Sequence, residues 1–477
     1  MKISALLTDL YQLTMLAGYH ARGMHEQEAV FDLYFRRPPY RGSYAIFAGL
    51  QPALEYLRDL RFLPHEIEYL ASLELFDDSF LEWLADFRFR GRVLAPVEGT
   101  PVFPHTPLLT LEGCLAEVQL VETVLLNIIN FQTLVATKAA RLSQAAAPAA
   151  VVDFGLRRAQ GPDGALSVAR AAAVGGVGAT SNLLAGQRFG LPVKGTQAHS
   201  WVMAFDSELE SFRAYAESFP DSCTLLVDTY DTLNSGVPNA ILVAQELREN
   251  RQELVGIRLD SGDLAWLSRR ARQMLDDAGF PQVKIVASNE LDEDLIEAIR
   301  NDGGRVDIYG VGTKLAICAG EGGGALGGVY KLVSIGGRST LKSTSDPAKG
   351  TLPGEKNLYR VQDACGRYLF DLITLKSEPV ACGDEVFDPE NPERSQRIPV
   401  GSVWVEIRKP VMAEGALLHE DEGFDALSER CSHQLKQLPD GSLRLLNPHR
   451  YKVSISRGLL QLRQELLAEI SEKCGSL

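Results

Sequence analysis

Hydrophobic positions in the middle of this chain come in short bursts. Apolar or β-branched runs recur at residues 151–152, 224–227, 254–259, 283–286 and 306–309, and each closes on a polar or glycine tip: Asp153, Asp228, Asp260, Ser288 and Gly310. Between them the apolar residues take the 3.6-residue spacing of amphipathic helices. Asp263 is placed to cap one helix with the face Leu264, Leu267, Ala271, Met274 and Leu275, closed by Gly279. Asn289 is placed to cap another, with Leu291, Leu295, Ile296 and Ile299, closed by Gly303. Strand, polar tip and helix in repetition require a parallel sheet, because parallel strands need crossover connections. With the polar tips at the C-terminal ends of the strands, the choice lies between a β/α barrel and a doubly wound sheet. No GxGxxG fingerprint follows the first run, which favours the barrel.

The flanks have a different rhythm. Residues 1 to about 110 are aromatic-rich and helical in pattern, with β-like runs at 92–97 and 108–111. Leu6, Leu10, Leu13 and Leu16 predict an amphipathic N-terminal helix. Past residue 340 proline, glycine and charge recur, with strand-like stretches at 368–375 and 402–407. The expected organisation is α/β: an irregular β/α barrel over residues 121–340, and a flanking α/β accessory domain whose N-terminal part is 1–120 and which 341–477 completes.

Composition narrows the function. The 477 residues are 45% hydrophobic and 23% charged, as in an ordinary soluble globular protein. A net charge of -14 disfavours nucleic acid or an anionic membrane surface as partner, yet leaves room for a local basic site that holds a small anion. Seven cysteines without a CxxC pair fit a reducing compartment, and Cys431, His433, Cys365 and Cys382 lack the spacing of a zinc site. No apolar run is long enough to span a bilayer, and Asp9 interrupts what would be a signal-peptide core. The expectation is a cytoplasmic protein.

Candidate chemistry gathers at the predicted strand tips. Asp153-Phe154-Gly155-Leu156-Arg157-Arg158 offers a ring to stack and guanidiniums to grip a flat anion, or else a loop with surface arginines. In Arg258-Leu259-Asp260-Ser261-Gly262-Asp263, alternation puts Arg258 and Asp260 on one face. They could form a structural ion pair, and the acids flanking Ser-Gly equally suit a Mg²⁺-phosphate or a ribose diol. Ser288-Asn289 and Tyr309-Gly310-Val311-Gly312-Thr313-Lys314 follow, the latter freeing backbone N–H groups for a phosphate. Lys194-Gly195-Thr196-Gln197-Ala198-His199-Ser200 adds a histidine among small residues, where a ligand can approach closely. A ring to stack, an arginine for a carboxylate, acids, a phosphate turn and a histidine fit phosphoribosyl transfer to an aromatic acid.

These segments, with Leu7-Thr8-Asp9-Leu10-Tyr11-Gln12-Leu13-Thr14-Met15 and Thr351-Leu352-Pro353-Gly354, closely resemble the nicotinate phosphoribosyltransferase family across nearly the whole chain. The resemblance implies the type II phosphoribosyltransferase fold and the first step of NAD salvage. In that step nicotinate and phosphoribosyl pyrophosphate give nicotinate mononucleotide and pyrophosphate, coupled to ATP hydrolysis, with Mg²⁺ as the metal. It implies autophosphorylation of His199 and a nicotinate site of Thr196, Arg258 and Tyr11, the last supplied by the partner subunit of a homodimer with shared active sites. Phe154 and Arg157 match the ring and carboxylate site of the related nicotinamide enzyme. Gly310, Gly312 and Thr313 resemble the product phosphate site; Thr344, or its neighbour Ser343, resembles a phosphoribosyl pyrophosphate contact. Asp263, Ser288 and Asn289 join the phosphoribosyl pyrophosphate site on this reading, and Asp260 or Asp263 stands near Mg²⁺.

Where the nicotinamide enzyme carries an Asp for its amide, this chain has Ala179-Thr180-Ser181-Asn182, which suits the acid. The competing expectations are a nicotinamide phosphoribosyltransferase and a catalytically inactive ligand-binding barrel. A quinolinate enzyme would need a larger basic cluster.

Overall fold

A computed structural model describes residues 3–343 and 350–475, so Thr344 lies outside the described residues. The chain divides into two compact units: residues 135–324, and residues 1–134 together with 325–477.

The unit 135–324 is built on six parallel strands: β1 (Ala150–Asp153), β2 (Ala179–Thr180), β3 (Thr224–Leu226), β4 (Gly256–Leu259), β5 (Lys284–Asn289) and β6 (Ile308–Val311). Their spatial order is β2-β1-β6-β5-β4-β3. That is the chain order wrapped on itself, with the last strand beside the first. A doubly wound sheet reverses from a central strand, whereas this cyclic succession is the order of a β/α barrel. The hydrogen bonding is open between β2 and β3, and one parallel bridge from Thr180 to Val193 extends the β2 side. The strands are apolar on both faces, with Ile257, Leu259, Ile285, Val286, Ala287 and Val311 buried, as expected of a sheet covered by crossover helices.

Those crossovers include α1 (Gly161–Val174), α2 (Leu183–Phe189), α3 (Val237–Glu249), α4 (Leu264–Asp277) and α5 (Glu293–Asn301). The expected cap of α4 is present: Asp263 Oδ1 accepts the Trp266 N–H at 2.9 Å, and Gly279 follows the helix at φ +83°. The expected cap of α5 is not. Asp292 accepts the Leu295 N–H at 2.9 Å, while Asn289 is still in β5. The reason is register: Ser288 pairs with Gly310 and Asn289 with Val311, so the ladder carries β5 three residues beyond its predicted end.

One buried charge cluster ties α5 to the long helix Glu122–Ala146. Lys138, Arg141 and Glu293 are each under 5% exposed; Arg141 Nε donates to Glu293 Oε1 at 2.9 Å, and Lys138 Nζ donates to Oε2. Burial works against the Glu293 carboxylate, but the two cations outweigh it and hold its pKa below the ordinary value.

The other unit carries three sheets among the described residues, a two-stranded pair of Ala45–Ile46 with Pro101–Val102 and two larger ones, of which the seven-stranded sheet draws on both ends of the chain. Its seven-stranded sheet runs Arg338–Ser339, Gly328–Ile335, Glu28–Phe35, Leu109–Cys114, Arg92–Ala95, Lys409–Ala413, Ala416–Leu417, all antiparallel. Its six-stranded sheet runs Ser395–Arg397, Glu385–Phe387, Val453–Ile455, Tyr368–Leu375, Lys356–Gln362, Val403–Glu406. The N-terminal helix spans Leu10–Ala21, with Leu13 and Leu16 buried. Leu6 falls outside it, because the Thr8 N–H bonds back to the Leu6 carbonyl and Asp9 is extended. No helix among the described residues is long and apolar enough to cross a membrane.

Removing the carboxylate at the centre of the buried cluster should be costly. Glu293→Ala is expected to lower unfolding stability by about 3–5 kcal/mol, measured by chemical denaturation at pH 7. Because the Glu293 pKa is lowered on folding, its ionic contribution is present above the ordinary carboxylate range and is lost as pH falls through its depressed value. Glu293→Gln should therefore flatten the acid limb of the stability profile.

Candidate active site

The C-terminal ends of β1, β4, β5 and β6 surround one polar cavity, lined by Phe154, Arg157, Arg258, Asp260, Asn289 and Thr313 among others. Side chains on β4 and just past it are fixed by their neighbours. Arg258 Nε donates to Ser288 Oγ at 2.8 Å, Nη1 to Thr196 Oγ1 at 3.0 Å and Nη2 to Asp260 Oδ1 at 2.8 Å. Ser288 Oγ also donates to Asp260 Oδ1. The Arg258 side chain is only 12% exposed, and a guanidinium has five N–H donors, so two remain for an acceptor in the cavity. Burial raises the Asp260 pKa, but the Ser288 hydroxyl, Arg258 and His199 together hold it below the ordinary value.

Phe154 supplies the flat wall. Its backbone N–H bonds to the Val311 carbonyl at 2.9 Å, and the Arg258 Cζ lies 5.5 Å from its ring centroid, within cation–π range. Gly310 on β6 makes this placement possible, since a Cβ there would stand 2.5 Å from the Phe154 ring. The glycine that the sequence suggested for a phosphate turn thus also makes room for the ring. Asp153 below is buried; its carboxylate accepts the Gly155 N–H and the Thr180 hydroxyl, each at 2.7 Å, and burial raises its pKa.

The remaining predicted residues distribute as follows. Arg157 is exposed at the cavity edge. Asn289 has φ +123°, a strained value for a non-glycine residue at a strand end that borders the cavity. Gly312 turns the chain from β6 into the short helix Thr313–Ala316, and Thr313 Oγ1 donates to Glu290 Oε1 at 2.9 Å. The Asp263 carboxylate is engaged in the α4 cap. Tyr11 lies in the other unit, on the N-terminal helix, 48% exposed. Asn182 Oδ1 caps α2 by accepting the Ala185 N–H at 3.2 Å.

His199 begins the short helix His199–Met203, its side chain 40% exposed. Its Nε2 lies 3.3 Å from Asp228 Oδ1, an oxygen without a hydrogen bond among the described residues. Asp228 Oδ2 accepts the Asp260 N–H at 2.8 Å and the Ser261 hydroxyl at 2.6 Å. One buried carboxylate therefore faces the histidine and holds the tip of β4. Asp228 was visible in the sequence as a strand tip with no role assigned. Gln197, in the same segment as His199, is 6% exposed, and neither heteroatom of its amide has a hydrogen-bond partner among the described residues.

Family models match along the chain: the N-terminal domain of nicotinate phosphoribosyltransferase at residues 6–130, the nicotinate phosphoribosyltransferase family at 149–374, and the C-terminal domain at 355–463. The nicotinate phosphoribosyltransferase of Bacillus subtilis is 40% identical, over 98% of this chain and 96% of that protein. The chain belongs to the nicotinate phosphoribosyltransferase family. The crystal structure of human nicotinic acid phosphoribosyltransferase superposes with a TM-score of 0.86 at 32% identity, covering 96% of this chain and 99% of the human one. A nicotinate-nucleotide pyrophosphorylase from Pyrococcus furiosus shares the fold at a TM-score of 0.71 and 22% identity, over 91% of this chain and 95% of that one. The type II phosphoribosyltransferase fold expected from the sequence is the one this family member adopts.

The fit of Phe154 over Gly310 gives a direct test. Gly310→Ala should destabilise the protein by about 1–3 kcal/mol through overpacking. In the Phe154→Ala background the same change should cost about 1 kcal/mol less, because the obstructing ring is gone. Additive costs in denaturant titrations would show that the ring does not lie over Gly310.

Proposed function

We propose that this member of the nicotinate phosphoribosyltransferase family transfers the phosphoribosyl group of phosphoribosyl pyrophosphate to nicotinate, giving nicotinate mononucleotide and pyrophosphate in NAD salvage. The observation that carries the reading is the Arg258 clamp: a fixed, nearly buried guanidinium with two free donors beside the Phe154 ring. It suits a flat aromatic carboxylate, with the pyridine against Phe154 and the carboxylate on Arg258, and Arg157 at the rim. Ser181 presents no charge to repel that carboxylate.

In the reaction the pyridine nitrogen attacks C1 of the ribose as the bond from C1 to the pyrophosphate oxygen breaks. The nitrogen lone pair is already free, so no general base is required; positioning and stabilisation of the leaving group provide the rate. Ser288, Asn289, Gly310, Gly312 and Thr313 form the rim available to phosphate oxygens, and a Glu290 carboxylate on the same rim disfavours a naked anion there. Mg²⁺ arrives with the pyrophosphate as part of the substrate complex. Among the described residues no group of three or more His, Cys, Asp or Glu side chains is arranged to hold a metal ion alone. Asp260 Oδ1 is engaged by Arg258 and Ser288, and its second oxygen is available to such an ion, in keeping with the habit of Mg²⁺ to use few protein ligands beside phosphate.

ATP enters as co-substrate at His199. The imidazole nitrogen turned away from Asp228 attacks the γ-phosphorus as its bond to the β–γ bridging oxygen breaks and ADP leaves, and Asp228 stabilises the positive charge that develops on the ring. Because Asp228 also holds the Asp260 N–H and Ser261, a change of charge at His199 acts on the acid tip of β4. This links ATP use to how tightly the pyrophosphate is held. The enzyme works in the cytoplasm as a homodimer, with Tyr11 of the partner subunit closing each nicotinate site.

Parallel product assays with nicotinate, nicotinamide and quinolinate, with and without ATP, test the reading. Nicotinate should be the preferred substrate, Arg258→Ala should lower kcat/KM by about 10²-fold or more, and Ser181→Asp should reduce nicotinate use. Equal turnover of nicotinamide would overturn the assignment. His199→Ala should abolish acid-labile, base-stable labelling by γ-labelled ATP together with ATP stimulation, while a slow uncoupled reaction persists; labelling retained in the mutant would place the phosphate elsewhere. Mixing inactive Tyr11→Ala and Arg258→Ala chains should restore part of the activity in mixed dimers, and no recovery would mean that Tyr11 serves its own subunit.

A further inference from the structure

The unit formed by the two chain ends holds a second cavity of ≈ 330 Å³, which the reaction does not use. Its size is within the range of small-molecule sites. One strand end, Val386, and the following turn through Pro389 give it an apolar side, and Tyr451 forms its buried floor. That floor is rigid: the Tyr451 ring is stacked on Phe103 with centroids 3.8 Å apart, and its hydroxyl donates to Asp371 Oδ1 at 3.2 Å.

The polar side is cationic, in a protein of net charge -14. Arg394, Arg450 and Lys452 all line the cavity. Arg450 is balanced by Glu390 at 2.8 Å, and the same carboxylate lies 2.8 Å from His105 Nε2. Asp388, the carboxylate that lines the cavity, spends Oδ1 on the N–H groups of Glu390 and Asn391 at 2.8 and 3.2 Å. Arg394 has no side-chain partner among the described residues, and Lys452 has only a 3.3 Å contact to the neutral Gln396 amide. Two like charges are thus held beside one cavity, neither in an ion pair among the described residues, with the single carboxylate of Asp388 against three cations in the lining. His105 at the rim sits at φ +66°, a left-handed conformation strained for a residue with a side chain, and is fixed by its N–H to the Phe35 carbonyl at 2.8 Å. Cations and apolar side chains lining one cavity over a stacked aromatic floor are the complement of a molecule with phosphates and a less polar body.

We propose that this cavity is a binding site for a phosphorylated small molecule, its phosphates between Arg394 and Lys452 and its body against Val386 and Pro389. It is distinct in sequence from the phosphoribosyl transfer residues and stands whether or not that reaction is assigned correctly. The ligand chemistry, a di- or triphosphate, is shared by nucleotides and by free pyrophosphate, so both serve as probes.

Hydrogen exchange locates the binding directly. Titration of the full chain with ATP, and separately with inorganic pyrophosphate, should protect backbone amides in segments 386–396 and 450–454. The double variant Arg394→Ser/Lys452→Ser should raise the half-protecting concentration at least about tenfold there, as loss of charge-assisted contacts does. Protection around residues 194–200 and 258–263 should be unchanged. Both replaced side chains are exposed and make no ion pair, so the variant is expected to fold; matching far-UV spectra and unchanged basal activity establish that it has. Protection by ATP alone would assign a nucleotide, and protection by both probes would assign the phosphate chain as the recognised part. Absence of protection in these two segments at millimolar concentrations of both probes, or an identical titration in the variant, would overturn the proposal.

Discussion

A guanidinium taken almost out of water needs partners for its N–H groups, and Arg258 recruits three different segments for three of them, leaving two open to the cavity. Ser288 comes from the neighbouring strand β5, Asp260 from the tip of its own strand, and Thr196 from the loop that follows the bridge at Val193. Loss of any one leaves a buried N–H without a partner, which costs about 1–3 kcal/mol. The position of the loop 194–200, and of the histidine it carries, is therefore tied to the same charge that faces the cavity. The flat wall follows from this: Phe154 packs beside the fixed guanidinium, and Gly310 is small because the ring occupies the space a side chain would need.

A second carboxylate gives the site its internal connection. Asp228 ends one strand run and touches the products of two others, the histidine segment through one oxygen and the tip of β4 through the other. In a buried setting a carboxylate shared in this way responds to charge on either side, so the imidazole of His199 and the tip of β4 at Asp260 are coupled through the same atoms. The strained backbone at Asn289, on the rim of the same cavity, is of a kind that concentrates where ligands are gripped.

The flanking unit shows a different constraint. Its seven-stranded sheet needs strands from both ends of the chain: Glu28–Phe35 lies between Leu109–Cys114 and Gly328–Ile335, and Arg92–Ala95 pairs with Lys409–Ala413. Strand pairing over such separations also brings His105 and the segment 386–396 to one cavity, and neither contains a motif that would have drawn attention by itself.

The sequence by itself determined five of the six parallel strands, all but Ala179–Thr180, the polar or glycine tip that follows each of the five, and the α4 cap. These are set by local periodicity and by side-chain type, which need no partner to be read. The strand runs 92–97, 108–111, 368–375 and 402–407 were legible for the same reason. Only the tertiary structure decided that the strand order is cyclic, that β5 continues through Asn289 because its ladder with β6 continues, and that the N-terminal helix starts at Leu10. It alone decided that Asp228 stands between His199 and Asp260 and that Gly310 yields space to Phe154. Each of these turns on which groups compete for one hydrogen bond or one volume, and that competition exists only when distant segments are packed together.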